Sequence, residues 1–190
     1  MIDLIQISVI GLIFAFVIGI GRLFAPYVTR VFAEAPSYFD KILDPFEKSI
    51  YRGAGINPNH SMSWKEYFLS LLIVNILQMS IAFIILIFQD RLPLNPQRFP
   101  GITWDLAFNT VVSFGTNTNL QHYNGESTLS YFSQMTAIQF LQFTSAASGL
   151  CAAVAFVRGF KSGARDVGNF YVDFVRSLTR VLFPLCFIAS

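Results

Sequence analysis

Four stretches of this 190-residue chain contain no charged residue: 4–21, 67–89, 106–125 and 127–157. A helix needs about 20 mostly apolar residues to cross the hydrocarbon core of a bilayer. The first and second stretches meet this requirement, as does the fourth from residue 131 onward. The pattern therefore predicts an all-α integral membrane protein with membrane helices at 1–24, 67–89 and 131–157.

The third charge-free stretch, 106–125, is too polar for a helix that faces lipid, because unsatisfied polar groups are costly there. A proline-rich bend at 92–103 precedes it and cannot be helical. Thr103 is a possible N-cap for a helix over 104–114, which could enter the membrane but not cross it. The pattern predicts a half-spanning helix followed by a polar loop at 115–121.

This loop has the composition expected of a cation filter. Its central residues are Thr116, Asn117, Thr118 and Asn119. A cation that sheds its water needs replacement oxygens, and the backbone carbonyls of an extended loop can supply them. The preceding short helix would direct its negative end toward the ion. A polar extracellular loop is the alternative, but it would leave the apolar residues of 104–114 without burial.

Three neighbouring residues are predicted to support the filter or to influence ion entry: Ser113, Gly115 and Gln121. The sequence contains no phosphate-binding glycine loop, no dinucleotide fingerprint and no Asp-Lys-Thr-Gly phosphorylation site. The chain is therefore predicted to bind no ATP, and a second chain would have to supply any energy from ATP hydrolysis.

The distribution of basic residues predicts the orientation of the helices. Of 13 Lys and Arg residues, six lie in the last turn of the first predicted helix or between it and the second, two between the second and third, and five after the third. Positive charge concentrates on the cytoplasmic side, so the N-terminus is predicted to lie outside. The overall composition, with 54% hydrophobic and 13% charged residues and a net charge of +2, excludes disorder and argues against nucleic-acid binding.

The predicted cytoplasmic segments are 25–66 and the first part of 158–190. Four apolar residues of the first segment recur at helical spacing: Ile42, Leu43, Phe46 and Ile50. This spacing is typical of an amphipathic helix on a membrane surface or on a partner. The second segment combines a basic link with a new apolar run at 181–190, so the chain is expected to stop inside a further membrane helix. The N-terminal stretch lacks the basic start of a signal peptide and is predicted to be retained.

Several segments resemble the channel-like A subunit of the Kdp potassium-importing P-type ATPases. They are Leu92-Pro93-Leu94-Asn95-Pro96-Gln97, Trp104-Asp105-Leu106-Ala107 with Asn109-Thr110, Val112-Ser113-Phe114 with Thr116-Asn117-Thr118-Asn119, Gly125-Glu126, 128–135, and Ser145-Ala146-Ala147-Ser148-Gly149. The resemblance implies an extra N-terminal membrane helix, then one helix–pore helix–helix repeat of the superfamily of potassium transporters. It also implies that residues 116–119 match the first of four filter segments.

Family members lie in the bacterial inner membrane, where they take potassium from outside and pass it to a B subunit that hydrolyses ATP. C and F subunits complete the complex. The resemblance thus implies part of a potassium-binding and translocating subunit, with independent transport doubtful because three filter segments are absent. The alternative is a truncated membrane interaction module of the same complex, which would bind the B or C subunit, or a full A subunit, without moving ions. A small channel of four copies is a third reading, which the incomplete last helix disfavours.

Overall fold

The computed structural model describes residues 4–33, 35–36, 39–160 and 166–189. Helices dominate these residues, and no strand occurs among them. In chain order the helices are α1 (Leu4–Phe32), α2 (Asp40–Gly53), α3 (Trp64–Ile87), α4 (Trp104–Gly115), α5 (Gly125–Thr128), α6 (Tyr131–Gly159) and α7 (170–189). A 3₁₀ turn, Gln89–Arg91, follows α3, and π-helical turns lie within α6 at Gln134–Gln139 and within α7 at Ser177–Leu182.

Three helices are long and apolar enough to cross a membrane: Ile5–Phe32, Trp64–Ile87 and Tyr131–Gly159. Their most apolar windows have mean hydropathies of 2.3, 2.5 and 1.6 respectively. The chain is therefore an all-α membrane protein, as the sequence predicts. The first of these helices runs to Phe32, well past residue 24, and contains Pro26. A proline within a helix removes one backbone hydrogen bond without necessarily ending the helix.

The central pair of helices, α3 and α6, is antiparallel. The Ser148 hydroxyl donates to the Asn75 carboxamide oxygen at 3.2 Å, which fixes the register of the two helices. About two to three turns nearer the end of α3, Ala82 and Leu86 pack with Leu141 of α6 and with other buried residues of one core. This pairing forms the frame against which α4 packs.

The start of α3 carries a capping box formed by Ser63 and Glu66. The Ser63 backbone N–H donates to the Glu66 carboxylate at 2.7 Å, and the Glu66 N–H donates to the Ser63 hydroxyl at 3.4 Å. These reciprocal bonds satisfy two donors that the first helical turn would otherwise leave unpaired. The start of α3 is therefore fixed locally, by residues within four positions.

Most of α1 packs against nothing else in the described chain. None of its most apolar window is buried, and a Cβ added at Gly11 or Gly19 would meet no atom within 4 Å. The last turns of α1 pack on the bundle, where Val31 and Phe32 contact Val181 of α7. The face of α1 that would lie in lipid or against other protein is thus left open.

The bundle has two chemically different ends. At the charged end, α1 and α6 finish while α3 and α7 begin. At the loop end, α3 finishes and α6 begins, and α4 enters between them. Lys161 and Arg165, which the sequence argument counts among the basic residues of the last link, lie outside the described residues.

An ion pair joins the helices at the charged end. The Arg158 guanidinium binds the buried Asp173 carboxylate through two nitrogens, at 2.5 and 3.1 Å. The same guanidinium donates to the Phe32 carbonyl at 2.7 Å, and the Tyr67 hydroxyl donates to Asp173 at 3.0 Å. The pair therefore ties together α1, α3, α6 and α7.

A second cationic centre holds α2 against α7. The buried Arg180 guanidinium contacts Asp40 at 2.5 Å, Asp44 at 2.6 Å and Glu47 at 2.7 Å. The Thr179 hydroxyl adds a bond to Glu47 at 2.7 Å. Three carboxylates of α2 therefore share one arginine, which sets the face that this helix turns toward α7.

Candidate cation-binding loop

The start of the half-length helix α4 contacts the end of α3, at the loop end of the bundle. The Ile102 N–H donates to the Leu86 carbonyl at 3.3 Å. A Cβ at Gly101 would collide with the Ile87 carbonyl oxygen, so only glycine permits this approach. Thr103 then adopts the extended N-cap conformation, with φ of −63° and ψ of 150°. The end of α3 and the start of α4 are thus held in direct backbone contact.

The other end of α4 lies partway along α3. A Cβ added at Gly115 would lie 2.6 Å from the Met79 Cγ and Sδ atoms, so the two residues touch. Met79 precedes the end of α3 by eight residues, which is about 12 Å of helix. The helix α4 therefore ends inside the bundle, at a depth well short of the charged end.

One face of α4 is buried and the other is open. Ala107, Val111 and Phe114 lie in the core with α3 and α6. Trp104 and Phe108 are exposed and line a groove of about 700 Å³ that continues along the loop after α4. Because this face is buried against α3 and α6, the apolar side chains of α4 are covered although the helix is too short to cross the membrane.

The loop after α4 turns its backbone N–H groups back onto the end of the helix. Five consecutive N–H groups do so. They are Thr116 to the Val112 carbonyl (2.9 Å), Asn117 to Phe114 (3.3 Å), Thr118 and Asn119 to Ser113 (2.9 and 3.2 Å), and Leu120 to the Ser113 hydroxyl (2.8 Å). The N–H groups of the loop therefore find their hydrogen-bond acceptors at the end of α4.

This arrangement fixes where the loop carbonyls point. The chain has no cis peptide bond among its described residues, and in a trans peptide the N–H and the C=O point in opposite directions. Because the five N–H groups of 116–120 face the helix end, the carbonyls of 115–119 face away from it. Among the described residues, none of these five carbonyls accepts a hydrogen bond. Five backbone oxygens are thus presented in sequence without a hydrogen-bond donor from the described part of the chain.

The two asparagines of the loop make this conformation possible. Asn117 and Asn119 have positive φ angles of 60° and 53°. Asparagine tolerates the left-handed region better than most residues other than glycine, because its short polar side chain can bond locally. Here the Asn119 carboxamide nitrogen donates to the Asn117 side-chain oxygen at 3.3 Å. A β-branched residue at either position would strain the backbone.

Ser113 braces the loop from inside the helix. Its hydroxyl donates to the Leu120 carbonyl at 2.9 Å while accepting the Leu120 N–H at 2.8 Å. The Thr118 hydroxyl donates to the Ser113 carbonyl at 3.0 Å, and the Thr116 hydroxyl donates to the Val112 carbonyl at 2.8 Å. The hydroxyls of the loop therefore hold backbone in place, and the outward oxygens are those of the carbonyls.

Gln121 lies beyond this network. It lines the open groove together with His122, and both side chains are exposed. His122 makes an edge contact with the Tyr123 ring at 6.3 Å. The structure thus brings Ser113, Thr116 and Thr118 into one cluster and leaves Gln121 at its rim.

A carboxylate stands at the mouth of the groove. Asp105 lies in the first turn of α4, and hydrogen bonding with the Thr103 side chain lowers its pKa. The carboxyl group is therefore ionised at neutral pH and places a negative charge at the entrance. The loop itself contains only neutral groups, and no cluster of three His, Cys, Asp or Glu suited to a metal ion occurs in the described parts of the chain. Neutral carbonyl oxygens suit the binding of a monovalent cation during transport, because they can replace its water shell without holding the ion too tightly for release.

Two residues next to this site escape sequence reasoning. Met79 supports Gly115, yet an isolated methionine in an apolar helix gives no signal in the sequence. Gln89 is completely buried and hydrogen-bonds to Pro100, just before α4, and to Ser130, just before α6. A glutamine directly after a long apolar run is a weak signal, because such positions are commonly at the membrane surface.

The half-length helix α4 ends inside the bundle, and a loop whose carbonyls point away from the helix end follows it. Two membrane helices flank this segment. These features define a membrane protein with a helix–half-helix–helix unit. The chain belongs to the family of the potassium-transporting ATPase A subunit, whose family model matches residues 11–190.

Curated relatives agree with this membership. The chain is 45% identical over 181 residues to the potassium-transporting ATPase potassium-binding subunit of Synechocystis sp., which covers 95% of this chain and 32% of that protein. The same subunit of Leptospira interrogans is 53% identical over 145 residues, covering 75% of this chain and 26% of the relative. The subunit of Caldanaerobacter subterraneus is 46% identical over 176 residues, or 93% and 31%. The chain spans about a third of the length of these relatives.

Proposed function

We propose that this chain contributes one potassium-binding filter segment to the potassium-binding subunit of an ATP-driven potassium importer. The carbonyls of 115–119 would replace part of the water shell of K⁺, while Ser113 and Gly115 hold the loop and Gln121 lies on the route of entry. The observation that carries the proposal is the set of five N–H groups of 116–120 turned onto the end of α4. This set leaves five neutral oxygens free for a cation.

The direction of transport follows from the charges in this proposal. The charged end lies in the cytoplasm and the N-terminus outside, so that α4 and its loop open to the exterior of the bacterial inner membrane. Potassium then enters past Asp105 and the groove before it reaches the carbonyls. The chain itself would bind no ATP.

One filter segment supplies only part of an ion cage, so the segment acts together with other filter segments around a common axis. The names of the relatives describe the subunit of an ATPase, which supports a complex with other subunits. We take these to be the ATP-hydrolysing B subunit and the C and F subunits. The domain limits fit this role, with 67–157 as one complete repeat and the open face of α1 available to lipid or protein.

The experiment that tests this function measures cation-dependent stability of the complete transport complex. The unfolding temperature is recorded in detergent as KCl replaces choline chloride at constant ionic strength, and NaCl serves as the comparison. We expect stabilisation by K⁺ at far lower concentration than by Na⁺. Thr118→Ala, which removes the bond to the Ser113 carbonyl, should raise the K⁺ concentration required by about tenfold, which corresponds to about 1.4 kcal/mol.

Ser127→Ala is the matched control, because Ser127 is exposed on α5 and, within the described part of the chain, its hydroxyl bonds only to the Asn124 carbonyl. This variant should behave as the unmodified complex. Equal stabilisation by K⁺ and Na⁺, or an unchanged K⁺ requirement in Thr118→Ala, would contradict the proposal. The interaction-module alternative predicts the latter result, since it assigns no ion to the loop.

A further inference from the structure

Gln89 is a completely buried amide at the loop end of the bundle. It lies in the 3₁₀ turn directly after α3. Its side-chain nitrogen donates to the Pro100 carbonyl at 2.6 Å and to the Thr128 carbonyl at 2.9 Å. Its side-chain oxygen accepts the Ser130 N–H at 3.0 Å. Both donors of the amide are used, and so is its oxygen.

The three partners of Gln89 bracket the filter segment. Pro100 lies just before α4, whereas Thr128 and Ser130 lie after the loop has returned to the start of α6. The whole excursion into the bundle, α4 and the loop included, lies between these contacts. Among the described residues, Gln89 is the only side chain that hydrogen-bonds to both ends of this excursion.

The position of α4 depends on these ends. At its start, α4 is fixed by the contact of Gly101 with the Ile87 carbonyl and by the bond from Ile102 to Leu86. At its far end, Gly115 rests on Met79. Because α4 is a single short helix, a shift of its start along α3 moves its far end, and the carbonyls of 115–119, by a similar distance.

We propose that Gln89 is a positioning residue that sets the depth of α4, and thereby the cation discrimination of the carbonyls at 115–119. This inference rests on the proposed function of the loop. Filter carbonyls replace the water shell of the ion, so the number and placement of the carbonyls around the ion decide which cation is preferred. Gln89 touches no ion and acts only through the segment that it holds.

The test compares two substitutions of Gln89 with a matched control in the complete transport complex. Gln89→Leu removes all three hydrogen bonds at similar volume. Gln89→Glu keeps the shape and retains a donor only while the introduced carboxyl is protonated. Gln97→Leu is the control, because Gln97 lies in the loop between the 3₁₀ turn and α4, is exposed, and has the Tyr131 hydroxyl, at 3.1 Å, as the only side-chain partner among the residues that the structure describes.

Two quantities are measured for each variant: the unfolding temperature without K⁺, and the ratio of the K⁺ and Na⁺ concentrations that give half-maximal stabilisation. We expect Gln89→Leu to reduce the preference for K⁺ by at least tenfold, and Gln97→Leu to leave it unchanged. In Gln89→Glu the preference should fall as pH rises, because the ionised carboxylate cannot donate to the carbonyls of Pro100 and Thr128.

A merely structural role gives a different result. The inference is overturned if Gln89→Leu lowers the unfolding temperature while the K⁺ to Na⁺ ratio is preserved, or if the ratio in Gln89→Glu is independent of pH. Should Gln89→Leu fail to fold, the pH profile of Gln89→Glu decides alone. If the unmodified complex shows no preference for K⁺, the proposed function itself fails, and that outcome is recognised before any variant is made.

Discussion

The loop end of the bundle is held together by neutral groups, whereas the charged end is held by arginines and carboxylates. At the loop end, the amide of Gln89 and the hydroxyl of Ser113 bond to backbone over distances of 2.6–3.0 Å. At the charged end, Arg158 and Arg180 are each bonded to buried carboxylates. The proposed cation site would benefit from this separation, because a fixed positive charge near the carbonyls would repel the ion and a fixed negative charge would retain it.

The two ends also differ in what a substitution leaves behind. A missing neutral partner leaves an unsatisfied polar group, which costs about 1–3 kcal/mol. A missing member of a buried ion pair leaves an isolated charge, which costs about 3–5 kcal/mol. The comparison therefore predicts that the charged end controls stability and that the loop end controls ion binding.

The largest effect is expected from Asp173→Ala. This change leaves the Arg158 guanidinium without its carboxylate and removes an acceptor of the Tyr67 hydroxyl. We expect the free energy of unfolding to fall by about 3–5 kcal/mol, measured by denaturant unfolding in detergent. Asp90→Ala is the control, since the Asp90–Arg91 pair is exposed and should contribute less than about 1 kcal/mol. Similar losses of unfolding free energy in the two variants would contradict the expected difference between buried and exposed ion pairs.

Arg180→Ala is expected to have the next largest effect, and a local one. It removes the arginine shared by Asp40, Asp44 and Glu47 of α2, but Asp40 and Asp44 are partly exposed and gain water in its place. We expect faster amide hydrogen exchange throughout α2 and little change in α4, measured by mass spectrometry. Lys48→Ala, which removes only an exposed pair with Asp44 at 3.9 Å, should leave the exchange of α2 unchanged. Uniformly faster exchange in the whole chain would show that Arg180 supports the global fold instead.

At the loop end, Ser113→Ala removes both bonds to Leu120 without changing the charge. The loop loses its brace, so we expect K⁺ affinity to fall by about tenfold while the free energy of unfolding falls by only about 1–3 kcal/mol. Both quantities are available from the K⁺ dependence of thermal unfolding. The comparison fails if this variant is as unstable as Asp173→Ala, or if it retains full K⁺ affinity.

Local sequence signals predict much of this architecture. Ser63 and Glu66 are three residues apart, so the capping box at the start of α3 can be found from the sequence alone. The prolines of 92–103 and the N-cap position of Thr103 likewise indicate where α4 begins. The unusual density of Thr and Asn at 116–119 identifies the loop, because such residues have no reason to accompany apolar helices unless they face protein, water or an ion.

The remainder depends on contacts between residues far apart in the chain. Arg158, in the last turn of α6, is one of several basic residues near the end of that helix, and nothing nearby distinguishes it as the partner of Asp173. The role of Gln89 depends on Pro100 and on Ser130, which reach it only in the folded bundle. The extension of α1 to Phe32 is supported by packing against Val181, which outweighs the local effect of Pro26. Tertiary contacts of this kind leave no periodic pattern in a sequence.

The smallest effect is expected from Asp105→Asn. Asp105 is ionised at neutral pH, but it is fully exposed at the mouth of the groove, and its field is screened within about 10 Å at 0.1 M salt. We expect the K⁺ association rate to fall by less than about threefold at low ionic strength and to be unchanged at high ionic strength, with little effect on K⁺ affinity. Stopped-flow measurement with a K⁺-sensitive dye over a range of ionic strength tests this, with Asp105→Glu as the charge-preserving control. Because the folded-state pKa of the Asp105 carboxyl is lowered, its negative charge is present at neutral pH. The favourable effect of this charge on K⁺ association is lost only as the pH falls through that lowered pKa. A large, salt-independent loss of affinity would instead place this carboxylate among the ion's ligands and contradict a site built from neutral oxygens.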